Sequence, residues 1–133
     1  MKKRIFSMVM AVLMLFTFNI GAYAESTVQP RYSYTNSVLA RLSVESQQAV
    51  CTGIIDCNSS VTKVTVKIIL QKKGVFKWNN VTTWTDEVNG DNYSRSYRYG
   101  PVDSGKYRVK VEATVYAGTA SENVSATSST VTV

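Results

Sequence analysis

Two tryptophans and a run of tyrosines are the residues of this chain best suited to ligand chemistry, and that chemistry is stacking. Trp78 and Trp84 flank Val81 at three-residue intervals, and Tyr93, Tyr97 and Tyr99 follow. Rings held on a β-sheet face pack well against the apolar side of a sugar. Trp78, Trp84, Tyr97 and Tyr99 therefore form a candidate ligand platform, which Tyr93 could extend. The ordinary alternative is that these rings complete a small β core, where a buried Trp or Tyr needs only one hydrogen-bond partner.

Other chemistry is sparser. Cys51 and Cys57 are the only cysteines. In an exported chain they are expected to form a short disulfide loop. That bridge requires the chain to turn between them, because a straight strand would hold them roughly 20 Å apart and a disulfide needs Cα atoms within about 7 Å. Without the turn, Cys51 is a buried apolar residue and Cys57 an exposed thiol. Asp86, Glu87 and Asp91 gather oxygen ligands near a turn, but their spacing departs from the twelve-residue calcium loop, and a solvated acidic turn is the ordinary reading. Arg95, Arg98, Arg108 and Lys110 read as a basic stripe or as solubilising charge. The chain has no histidine, so no Ser-His or Cys-His nucleophile can be built. No enzyme activity, no cofactor and no metal site are expected.

The elements that position these residues begin after an export signal. Lys2, Lys3 and Arg4 precede an apolar run from Ile5 to Phe18, and Ala22-Tyr23-Ala24 supplies small residues for cleavage before Glu25. Residues 1–24 are read as a signal peptide, 25–36 as a flexible leader and 37–133 as one domain. The apolar run is shorter than the roughly 20 residues of a membrane span, so no span is expected after cleavage. The full chain carries 15 Lys+Arg against 9 Asp+Glu. Loss of the signal's three basic residues leaves 12 − 9 = +3, an ordinary solubilising charge. Nucleic acid is not an expected partner.

Past the leader, apolar residues alternate. Val38, Ala40, Leu42 and Val44 form one row, and Ala49, Cys51, Gly53 and Ile55 a second. Val64, Val66, Ile68 and Leu70 form a third, and Tyr107, Val109, Val111, Ala113 and Val115 another. Phe76 to Val88 breaks the period, which predicts a bulge or short loop. Asn89-Gly90 is the strongest hairpin signal. Val124 to Val133 suits an edge strand. The pattern predicts an all-β, antiparallel two-sheet sandwich of about seven strands.

Asp103-Ser104-Gly105-Lys106-Tyr107-Arg108-Val109 resembles the Asp-x-Gly-x-Tyr turn leading into the sixth strand of immunoglobulin-like domains. The resemblance implies that the Tyr107 hydroxyl pins that turn. The family's usual second cysteine is replaced by Val109, and its buried tryptophan by Ile68 or Leu70. With Leu70-Gln71-Lys72-Lys73 and Trp78-x-x-Val81-x-x-Trp84, the chain resembles small secreted Ig-like β-sandwich proteins of Gram-positive bacteria, which bring no assigned activity. The expected function is a secreted, non-enzymatic binding or adhesion module toward a cell-wall or host glycan. The alternative is a structural, self-associating protein-interaction subunit at the cell surface, with its β edges meeting other chains.

Overall fold

A computed structural model describes residues 32–133. The signal peptide read over 1–24, and leader residues 25–31, lie outside the described residues. The alternating rows become strands β1 (Thr35–Glu45), β2 (Gln48–Cys57), β3 (Lys63–Lys73), β4 (Trp78–Asn89), β5 (Asn92–Tyr99), β6 (Lys106–Ala117), β7 (Ala120–Thr127) and a short β8 (Val131–Thr132). They form two antiparallel sheets. One has the order β1-β2-β5. The other has the order β4-β3-β6-β7, with β8 also paired to β6. The result is an all-β sandwich. In the constant-type immunoglobulin arrangement the fourth strand joins the first, second and fifth; here β4 pairs with β3 instead.

The core comes from the rows that alternation places inward. Cys51 and Ile55 of β2 face Val64, Val66, Ile68 and Leu70 of β3 and Val109, Val111 and Val115 of β6, all essentially fully buried. Gly53 allows a close approach between the sheets. A Cβ there would lie 3.1 Å from Ile68 Cδ1 and 3.2 Å from Val111 Cγ2. All of these residues belong to the compact unit Tyr32–Val133. A complete hydrophobic core within one unit is what an independently folding domain requires.

Two sequence expectations change, and the predicted irregularity in β4 is resolved. Strand β1 begins at Thr35, inside the predicted leader, and Tyr32 and Tyr34 pack against the core. The cause is long-range: Glu122 of β7 accepts the backbone N–H groups of Ser33 and Tyr34. Asn89-Gly90 does make a turn, with Gly90 at φ 134°, but not a hairpin. Its flanking strands pair with different partners, β4 with β3 and β5 with β2, so the turn carries the chain between sheets. The irregularity in β4 is a bulge: Leu70 pairs with Thr82 and Gln71 with Asn80, which leaves Val81 unpaired. That extra residue produces the three-residue spacing of Trp78, Val81 and Trp84 and puts the two indoles on different faces.

The predicted Cys51–Cys57 disulfide is the third correction. Both thiols are free and buried. Strand β2 does not turn between them. It stays paired with β1 from Leu42↔Cys51 to Thr35↔Cys57, so the two Cα atoms are separated by roughly 20 Å of extended chain. Burial pushes the Cys51 thiol up to about 12 and raises Cys57 as well, which keeps both in the unreactive thiol form. We therefore expect non-reduced protein to resist iodoacetamide while folded and to take up two labels per chain in denaturant. Mass spectrometry reads the result, and an unlabelled denatured chain two mass units lighter would mean that a bridge exists.

Candidate functional site

Both long edges of the sandwich are closed by a carboxylate from the five-stranded sheet. At one edge, Asp86 of β4 accepts hydrogen bonds from the Tyr93 and Tyr97 hydroxyls of β5, each at 2.6 Å. Arg95 Nη1 of β5 stands 3.6 Å from the other carboxylate oxygen. Tyr93, Arg95 and Tyr97 pair with the inward-facing Ile55, Gly53 and Cys51, so all three point into this edge. Burial raises the Asp86 carboxyl, but the two hydroxyls and Arg95 outweigh it and the net shift is downward.

At the opposite edge, Glu122 of β7 accepts the backbone N–H groups of Ser33 and Tyr34 at 2.9 and 2.8 Å, and the Thr35 hydroxyl at 3.0 Å. Burial raises this carboxyl too, and the donated hydrogen bonds again bring it down overall. This contact spans almost ninety residues of sequence. It explains why the end of the predicted leader is ordered onto the domain.

The structure divides the predicted aromatic platform. Trp84 and Tyr97 stack face to face across the closed edge, with centroids 5.1 Å apart and planes at 7°. Each ring spends one face on the other, so the pair cannot present two rings side by side to a sugar. Tyr93 is core. Tyr99 is 38% exposed at the end of β5. Trp78 lies beyond the bulge, on the outer face of the five-stranded sheet. There Arg108 covers its ring at 4.2 Å and donates from Nε to Gln71 Oε1 at 2.8 Å. The Gln71 amide in turn donates to Asn80 Oδ1 at 2.9 Å. Tyr107 is buried, and its hydroxyl donates to the Asp103 carbonyl at 2.9 Å. The basic stripe is also divided. Arg95 turns into the edge, Arg98 lies near Glu45, and Arg108 and Lys110 belong to the outer face of the other sheet.

That outer face carries a further feature, away from the aromatic rings. The sheet β4-β3-β6-β7 forms an open groove of about 430 Å³. Thr65 and Lys67 of β3, Thr85 of β4, Glu112 of β6 and Asn123 and Ser125 of β7 line it. Lys110 Nζ pairs with Glu112 at 3.1 Å along one wall. The Thr114 hydroxyl donates to Asn123 Oδ1 at 2.9 Å, which fixes that amide. Register sets Thr85, Lys67, Glu112 and Ser125 in one cross-strand row and Thr65, Thr114 and Asn123 in the next, across four strands. Trp78 is not part of it; Lys73, its cross-strand partner, lies about 20 Å along β3 from Lys67. The sequence signal was the polar half of each alternating strand, which resembles any solvated sheet face until four such halves are laid side by side.

Among the described residues, no group of three or more His, Cys, Asp or Glu side chains is placed to hold a metal ion. No helix there is long and apolar enough to cross a membrane.

The chain matches no known protein-family profile, and no curated protein sequence matches it. Among solved structures it is similar to wild-type OgpA from Akkermansia muciniphila in two crystal forms. In each the identity is 13%, the TM-score 0.41, and 77% of this chain is covered. The match spans about 30% of the OgpA chain.

Proposed function

We propose that this chain is an exported, non-enzymatic binding module whose ligand is a glycan held in the groove across β4-β3-β6-β7. The groove's lining carries the reading. Neutral donors and acceptors on rigid strands suit a ligand made of hydroxyl groups, and adjacent strands space them across a surface rather than converging them on one reacting atom. Lys67 is the exposed cation of the groove, and it adds a preference for acidic sugars or anionic wall polymers.

Edge-to-edge self-association receives less support. Strand β5 turns Arg95 inward, and β4 carries the Val81 bulge. Both are devices that oppose the addition of another strand. The two sealed edges leave the sheet face as the surface open to a partner.

The test mixes the chain from Glu25 onward with peptidoglycan and a panel of insoluble polysaccharides and measures depletion from solution. Depletion by one polymer is expected, and soluble fragments of that polymer should compete with it. The double variant Lys67→Ala/Thr85→Ala should weaken binding by about tenfold, the size of one or two lost polar contacts. It should still melt with the wild type, since both side chains are exposed. Absence of depletion by every polymer, or equal depletion of the variant, refutes the groove assignment.

A further inference from the structure

The connection between β3 and β4 is built the wrong way round for solvent. Gly74 N–H donates to the Lys77 carbonyl at 2.8 Å, closing a two-residue loop of Val75 and Phe76. Such a loop favours Asn, Asp or Gly. Here Val75 is 89% exposed and Phe76 99% exposed. No other large apolar side chain among the described residues exceeds 38% exposure. Single exposed apolar residues are ordinary. Two adjacent ones at the outermost point of a hairpin leave their whole surface in water, with no folded-state contact in return.

The surroundings state what could cover them. The exposed Lys73 and Lys77 flank the tip, whereas Lys72 lies over the Tyr107 ring, and no Asp or Glu occurs from Gln71 to Thr85. Neither Lys73 nor Lys77 takes part in a salt bridge among the described residues. The loop is held from behind, because the Asn79 amide packs where a Gly74 Cβ would stand, 2.6 Å away. Two side chains are far too little area for a protein interface, which needs about 800 Å² per partner. An anionic bilayer needs no shaped pocket. It accepts an apolar point and draws in the cations around it.

We propose that the β3–β4 tip docks this domain on anionic lipid, with Val75 and Phe76 entering the interfacial layer and Lys73 and Lys77 meeting the headgroups. The proposal is independent of the groove reading, since the tip lies beyond the Trp78 end of the sheet.

The test is vesicle flotation of the chain from Glu25 onward, using phosphatidylcholine vesicles with and without phosphatidylglycerol. The domain should float with the anionic vesicles, less well at high salt, and poorly with phosphatidylcholine alone. The variant Val75→Ser/Phe76→Ser should keep the wild-type melting temperature and lose at least about tenfold in partitioning. Lys73→Gln/Lys77→Gln should lose the preference for phosphatidylglycerol, and Lys67→Ala/Thr85→Ala should float as wild type does. A wild type that floats with neither vesicle overturns the proposal and leaves the tip to a protein partner. A serine variant that floats undiminished also overturns it.

Discussion

Replacing Asp86 by alanine should destabilise the domain by about 2–3 kcal/mol, the range for losing hydrogen bonds to a charged group. For a domain of this size the melting temperature should fall by about 10–20 °C. The carboxylate is only 14% exposed and accepts both the Tyr93 and Tyr97 hydroxyls. Its removal leaves the Tyr93 hydroxyl, on a buried side chain, without its partner. It also frees Arg95 and loosens the strand that carries the Tyr97–Trp84 stack. A Tyr93→Phe/Tyr97→Phe background supplies the control. With both donors gone, Asp86→Ala should cost much less than it does in the wild type. A loss within the ordinary surface range of about 0.5 kcal/mol in the wild type would show that this edge is not held by Asp86.

Acid should repeat the effect. The folded-state carboxyls of Asp86 and Glu122 both lie below their ordinary values. A depressed carboxyl contributes stability that is present above its unfolded value and is lost as pH falls through the folded one. Both sandwich edges should therefore weaken together as pH falls below about 5. Chemical denaturation across that window should show a smaller decline for Asp86→Ala than for wild type, because the variant has one fewer depressed group to protonate.

Replacing Ile68 by alanine should cost about 3 kcal/mol, within the usual range for a large core side chain cut to a methyl. Ile68 is fully buried and packs against Gly53 of the facing sheet. Gly53→Ala alone should cost about 1–3 kcal/mol by overpacking, since its new Cβ would press on Ile68 Cδ1 and Cγ1 and on Val111 Cγ2. Combined, the two should cost less than their sum, because Ile68→Ala removes the atoms that meet the Gly53 Cβ. Urea unfolding of the four chains measures this coupling. Strict additivity would mean that the sheets do not bear on each other at this point.

Much of this was legible before any coordinates. The inward rows of β1, β2, β3 and β6 follow from alternation, because a two-residue side-chain period allows only one face of a half-buried strand to be apolar. The bulge in β4 was legible for the same reason, as the place where the period failed. The site was less legible. Trp78 and Trp84 look alike in sequence, and one unpaired residue, Val81, sends them to opposite faces. Cys51 and Cys57 suggested a bridge that continuous pairing of β2 with β1 forbids. Phe76 read as the start of the irregular Phe76–Val88 segment, but it lies with Val75 at an exposed tip ahead of β4.

By itself, then, the sequence determined the strand class, the inward residues and the turn at Tyr107, because each depends on neighbours within a few positions. Only the tertiary structure decided that Asn89-Gly90 would join two sheets, that Glu122 would hold Ser33 and Tyr34, and that Asp86 would gather two tyrosines. It alone laid Thr65, Thr85, Glu112 and Asn123 along one groove. Each of those outcomes rests on which strands become neighbours. Local periodicity sets the face a side chain takes but carries no information about the strand placed beside it.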